Sequence, residues 1–127
     1  MEPAKSFRDL VVWRKAHEMV IKTYGYSKAF PREEIFGITS QMRRAAVSVA
    51  ANIAEGFVKF SPRDKIRFMN IAQGSLEECK YYILLSRELG YGTDKELVHL
   101  AEEVGKLINS YISAIRNHHL KPPPPSS

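Results

Sequence analysis

Cysteine is almost missing from this chain: Cys79 is the only one in 127 residues. A single thiol forms no intrachain disulfide and no Cys-rich metal site, and a reducing, cytoplasmic setting is the expectation that follows. Long hydrophobic runs are missing as well. Nowhere do about 18 apolar residues follow one another, and the opening MEPAKSFRDL has no apolar stretch behind a basic one. Neither a membrane span nor an export signal is therefore expected. Strict apolar–polar alternation, the mark of a half-buried strand, is absent too, as is any repeat at solenoid period. What is present is a basic chain of net charge +5 and pI ≈ 9.4, long enough to bury one domain's core unaided. Such a balance suits an acidic partner such as nucleic acid, or reflects solvated lysines alone.

Four segments carry helical periodicity, with start and stop signals between them. The first runs from about Arg8 to Lys28, with Leu10, Trp13, Ala16, His17, Val20, Ile21 and Tyr24 expected inward, until Phe30-Pro31 breaks it. The second starts near Thr39 or Ser40, either of which can cap it, and runs to about Phe60 with Met42, Ala46, Val49, Ala50, Ile53, Phe57 and Phe60 on one face. Ser61-Pro62-Arg63-Asp64 supplies a capping serine, a proline at the first helical position and an acid in the first turn of the third. That helix reaches about Leu89, with Phe68, Ile71, Ala72, Leu76, Cys79, Tyr82 and Ile83 inward, Ile66, Tyr81 and Leu84 outward, and Gly90 as a left-handed cap. Thr93, with Glu96 three residues on, reads as the capping box of a fourth helix ending near Asn117. The expected fold is all-α, an antiparallel up-down-up-down four-helix bundle over residues 1–120. Residues 121–127, KPPPPSS, are expected to be a proline-rich disordered tail.

The second helix is too apolar for one core face and oddly polar elsewhere. Val47, Ala51, Ala54 and Val58 widen its apolar surface, while Gln41, Arg44, Ser48, Asn52, Glu55 and Lys59 form a narrow polar stripe. A hydroxyl, an amide and a carboxylate on one stripe imitate a hydrolytic site, but no histidine can be assigned to them as a base. The stripe reads instead as a hydrogen-bond network or subunit interface, its partners Gly74, Ser75 and Glu78 on the third helix and Arg44 its cation. Gly74 in mid-helix calls for close helix contact to offset its cost of about 1 kcal/mol. Surplus apolar residues on both middle helices point to self-association.

Other candidates carry less. Cys79 on an apolar face behaves as an inert hydrophobe, and Glu96 with His99 makes one Glu-x-x-His motif where a di-iron bundle needs two. His17 reads as a core histidine, and His118 and His119 fall in a fraying terminus. No catalytic residue, metal or cofactor is expected. Arg43, Arg44, Lys59, Arg63, Lys65 and Arg67, set against Glu55 and Asp64, form a basic stretch suited to sequence-independent phosphate contacts.

Four motifs occur in order: F-x-D-L-x-V-W-x-K-A (Phe7 to Ala16), T-S-Q-x-R-R-A-A-x-S-V (Thr39 to Val49), N-I-A-E-G (Asn52 to Gly56) and R-F-x-x-I-A-x-G-S-x-x-E (Arg67 to Glu78). Over residues 7–117 the chain resembles the four-helix bundle proteins encoded in intervening sequences of bacterial 23S ribosomal RNA genes. That group is similar to the accessory variability proteins of diversity-generating retroelements, which form pentameric rings, bind nucleic acid and assist a reverse transcriptase. The resemblance implies a homopentameric ring with Asn52, Glu55, Gly74, Ser75 and Glu78 at motif positions, and RNA or DNA and a reverse transcriptase as partners. Two departures stand out: Val58 and Lys59 replace the family's usual glycine and arginine, and Ala50 replaces a common proline. Lys59 keeps the charge but loses bidentate phosphate geometry. The expected function is that of a non-catalytic, oligomeric nucleic-acid-binding accessory protein for structured RNA or RNA–DNA intermediates. The alternative is a protein-interaction scaffold whose stripe serves self-assembly, and a hydrolase using Glu55 is a remote third.

Overall fold

A computed structural model describes residues 3–119; the tail expected at 121–127 lies outside them. Helices α1 (Val11–Ser27), α2 (Ile38–Phe57), α3 (Pro62–Glu88) and α4 (Lys95–His119) account for nearly all of it, and among the described residues there is no strand. Each helix packs against its neighbours in chain order and α4 closes on α1, while α1 and α3, like α2 and α4, stand diagonally. The all-α antiparallel bundle is thus what forms. A 3-10 turn at Phe7–Asp9 precedes α1; its cap is a full box, Ser6 accepting from Arg8 and Asp9 accepting from the Lys5 and Ser6 amides.

The helix ends follow local chemistry, with three departures from expectation. At α3, Ser61 Oγ accepts from the Asp64 amide at 3.0 Å and Pro62 stands at the first position, as the sequence predicts. Its other end closes in a Schellman arrangement: Gly90 at φ +81° lets its amide reach Arg87 O and the Tyr91 amide reach Ser86 O. At α2, by contrast, neither Thr39 nor Ser40 caps; Gly37 is the N-cap without a side-chain bond, and Ser40 Oγ donates back to Gly37 O. At α4 the cap is Asp94, whose Oδ1 accepts from the Leu97 amide at 3.0 Å, not Thr93. Glu96 is thereby free to take the Lys22 ammonium at 2.6 Å, tying α4 to α1. Finally, α2 stops at Phe57, before Phe60.

Two core faces are rotated from those the periodicity predicts. On α1 the buried line is Val12, Ala16, Met19, Thr23 and Ser27, while Ile21, Tyr24 and His17 are exposed. The small hydroxyls win because Thr23 and Ser27 donate to the carbonyls of Met19 and Thr23 at 2.8 Å, hiding their polarity inside the helix. His17 is therefore no core histidine; it stacks in parallel on Trp13 at 4.9 Å. On α3 Ile66 and Met69 are buried and Ile71 is exposed, the reverse of expectation for Ile66 and Ile71, whereas Tyr81 and Leu84 are exposed as expected. Cys79 is fully buried, and burial pushes its thiol pKa up to about 11, so it is the inert hydrophobe the sequence indicates.

Close helix contact exists, but not at Gly74. A Cβ built on Gly74 would meet nothing within 4 Å, whereas one on Gly56 would lie 2.7 Å from Met69 Cε, 3.0 Å from Phe68 Cβ and 3.4 Å from Lys65 O. The missing side chain that lets α2 approach α3 is thus the last residue of N-I-A-E-G. Overpacking costs about 1–3 kcal/mol, against the roughly 1 kcal/mol that alanine gains over glycine in a helix. Urea unfolding is expected to show Gly56→Ala losing stability on balance and Gly74→Ala gaining up to about 1 kcal/mol; the opposite order would remove Gly56 from its packing role.

Candidate functional site

The polar stripe of α2 meets α3 along a seam that can be followed bond by bond. Ser48 and Ser75 share a hydroxyl hydrogen bond of 2.8 Å, and Asn52 Nδ2 donates to Ser48 O at 2.8 Å and to Ser48 Oγ at 3.1 Å. Further along, Arg44 donates to Gln41 Oε1 at 2.6 Å and pairs with Glu78 at 3.4 Å, while Tyr82 donates to the same Glu78 carboxylate. Burial and that bond to Glu78 raise the Tyr82 pKa, which keeps its hydroxyl a donor. Arg44 is mostly exposed, so its ion pair contributes well under about 1 kcal/mol. The half-buried Ser48–Ser75 contact fixes register instead.

Glu55 and Gly74 do not join this seam. Glu55 is exposed, and among the described residues it makes no hydrogen bond or ion pair; Gly74 faces open space. His17 and His99 lie on α1 and α4, are exposed, and neither is hydrogen-bonded to Ser48. No three His, Cys, Asp or Glu side chains gather as a metal site among the described residues, and none of the helices described is long and apolar enough to cross a membrane.

The six cations of the basic stretch are split. Arg43 and Arg44 sit near the start of α2, whereas Lys59, Arg63, Lys65 and Arg67 surround its far end, about 20 Å away along the axis at 1.5 Å per residue. Arg43 is spent locally, its Nε donating to Ser27 Oγ at 2.8 Å and its guanidinium lying 4.7 Å over the Tyr24 ring. Lys65 is also engaged: Nζ donates to Phe57 O at 2.6 Å, satisfying the end of α2, and sits 5.3 Å over the Phe57 ring. Its burial lowers its pKa. That leaves a compact group in which Lys59 Nζ and Arg67 Cζ lie 5.0 and 4.8 Å from one Phe68 ring, with exposed Arg63 beside them. Arg67 is held near Asp64 at 3.8 Å, and Phe60 in the turn is fully exposed.

Antiparallel packing brings further charge to this end, through Lys5, Arg8 and Arg14 ahead of and in α1 and Arg116 near the end of α4. Asp9, Glu55 and Asp64 are the acids there, and Asp9 is engaged by backbone amides that lower its pKa. The opposite end is mixed, with Glu33, Glu34, Glu88, Asp94 and Glu96 among its cations. Sequence reading missed Phe60 by assigning it to a core face, whereas Phe68, also expected inward, packs against the core and meets the cations with its exposed part. The exposure of Phe60 follows from its place after α2 has ended, a boundary that Val58-Lys59-Phe60 does not signal.

Residues 8–112 match the 23S rRNA-intervening sequence protein family. The chain belongs to that family. A solved member of the S23 ribosomal protein family from Bacteroides thetaiotaomicron, itself of unknown function, is similar in structure, with a TM-score of 0.74 and 28% sequence identity over 80% of this chain and 98% of that one. No curated protein matches. Within this intervening-sequence family fold, the α2–α3 seam should couple Ser48 and Ser75 energetically. A double-mutant cycle of Ser48→Ala and Ser75→Ala is expected to give about 0.5–1.5 kcal/mol of interaction, whereas Glu55→Gln changes stability by less than about 0.5 kcal/mol. Additive serine substitutions would contradict the seam.

Proposed function

We propose that this protein is a non-catalytic, oligomeric accessory protein that binds nucleic acid, its ligand structured RNA or an RNA–DNA intermediate. The observation that carries the reading is the cation–aromatic group at the α2–α3 end: Lys59 and Arg67 on the Phe68 ring, with Arg63 beside them. Guanidinium and ammonium groups positioned by a ring present charge to phosphate oxygens without a sequence-specific contact. The family's name, which ties its members to 23S ribosomal RNA genes, agrees with an RNA ligand. The sequence resemblance to accessory proteins of diversity-generating retroelements extends the proposal to a reverse transcriptase as partner, and the single cysteine extends it to a cytoplasmic setting.

Self-association belongs to the same reading. Val47 on α2 and Ile71, Tyr81 and Leu84 on α3 are exposed apolar side chains on the two helices that share the seam, and open space at Gly74 leaves room for a neighbouring backbone. A ring of five chains, each at +5, makes weak phosphate contacts multivalent. The scaffold alternative, in which the polar stripe serves self-assembly only, leaves the basic end without a task.

Replacing Lys59, Arg63 and Arg67 together by glutamine is expected to weaken RNA binding and to reduce the slope of log K against log salt by about two, at roughly 0.7 for each phosphate no longer neutralised. The same substitutions should leave the mass in light scattering at that of five 14.5 kDa chains. Absence of RNA and DNA binding by the wild-type protein at low salt would leave the scaffold reading standing, and a monomer at micromolar concentration would defeat the ring.

A further inference from the structure

The α2–α3 turn holds a feature that phosphate contacts do not require. Phe60 is 102% exposed, more than any other large apolar side chain described, and it sits between Lys59 and the capping Ser61. A phenylalanine wholly in water loses the burial that would otherwise favour it, so its surroundings decide what it suits. Those surroundings are cationic: Lys59 precedes it, Arg63 follows three residues later, and Lys59 and Arg67 flank the half-buried Phe68 ring at 5.0 and 4.8 Å. The other nearly bare ring, Phe36 at 92% exposure, lies at the opposite end, following Glu33, Glu34 and Ile35. Arg32 and Arg43 stand at that end as well, so Phe36 is a comparison ring in surroundings of mixed charge.

We propose that Phe60 is a stacking platform for an unpaired base, with Lys59, Arg63 and Arg67 holding the flanking phosphates. The proposal rests on the nucleic-acid reading above and specifies its ligand as single-stranded nucleotides. A base inside a duplex already stacks on both faces, whereas an unpaired base has a face to offer an aromatic ring. Lys59, adjoining Phe60 in the turn, and Arg63 and Arg67 on the first turns of α3 then neutralise the backbone flanking the stacked base, a division of labour that tolerates any sequence. Loops and single-stranded stretches of a structured RNA supply such bases.

The test is fluorescence anisotropy with a labelled 12-nucleotide oligouridine and a duplex RNA of equal length, at one fixed salt concentration, for the full chain and its variants. Phe60→Ala is expected to weaken oligouridine binding about 5- to 150-fold, the range that one base stack contributes, and to leave duplex binding unchanged. Phe60→Tyr should restore single-strand affinity, and Phe36→Ala should match wild type. Equal loss on both ligands, no loss on either, or a change in oligomer mass with Phe60→Ala would each overturn the platform. Wild-type binding to duplex alone would overturn it while leaving nucleic-acid binding intact; wild-type binding to neither ligand would overturn both.

Discussion

The approach of α2 to α3 at Gly56 is the constraint on which the rest of this molecule depends. Hydrogen in place of a side chain lets Met69, Phe68 and the Lys65 carbonyl close on the end of α2, and everything at that end follows. Lys65 reaches back to the last carbonyls of α2, the connecting turn shortens to residues 58–61, and Lys59 and Arg67 arrive on the same Phe68 ring, one from the turn and one from α3. A side chain at position 56 would push Met69 and Phe68 away from the end of α2. Packing and candidate function are therefore coupled through one glycine.

A second division runs along the bundle. The Ser48–Ser75 hydroxyl bond joins α2 to α3 in the half-buried part of the seam, Asn52 supports Ser48 from within α2, and the charged Arg44–Glu78 pair lies only where water reaches it. Placing the charge at the rim avoids the desolvation penalty that a buried ion pair carries. Positive charge collects at the α2–α3 turn, whereas charges of both signs mix at the other end, so the field of the bundle is most positive at the turn. Arg43 and Lys65, though basic, are used to satisfy Ser27 and the end of α2 and contribute to that field without being available as phosphate clamps.

Much of this was legible in the residues. Helix number and order, the Ser61 cap, the Gly90 turn and the pairing of the polar stripe with Ser75 and Glu78 all follow from periodicity and capping chemistry. The rotated faces of α1 and α3 were not, because a buried Thr23 or Ser27 bonded within its own helix carries no apolar signal, while Ile21 and Ile71 carry a strong one and stay wet. The close-contact glycine was misplaced for a similar reason: Gly56 and Gly74 are equivalent as letters, and only the neighbouring helix distinguishes them. Among the site residues, charge was readable but its commitment was not, since a cation paired with a carbonyl and one facing water look alike in sequence.

The proposed nucleic-acid surface is the α2–α3 turn, where Lys59, Phe60, Arg63 and Arg67 gather. Photo-crosslinking of the full chain to a 4-thiouridine-substituted RNA, followed by mass spectrometry of the adducts, tests it most directly. Adducts are predicted on Phe60 and its immediate neighbours between Lys59 and Phe68. Adducts confined to the opposite end, around Phe36 and Arg43, or spread evenly over α1 and α4, would contradict the account.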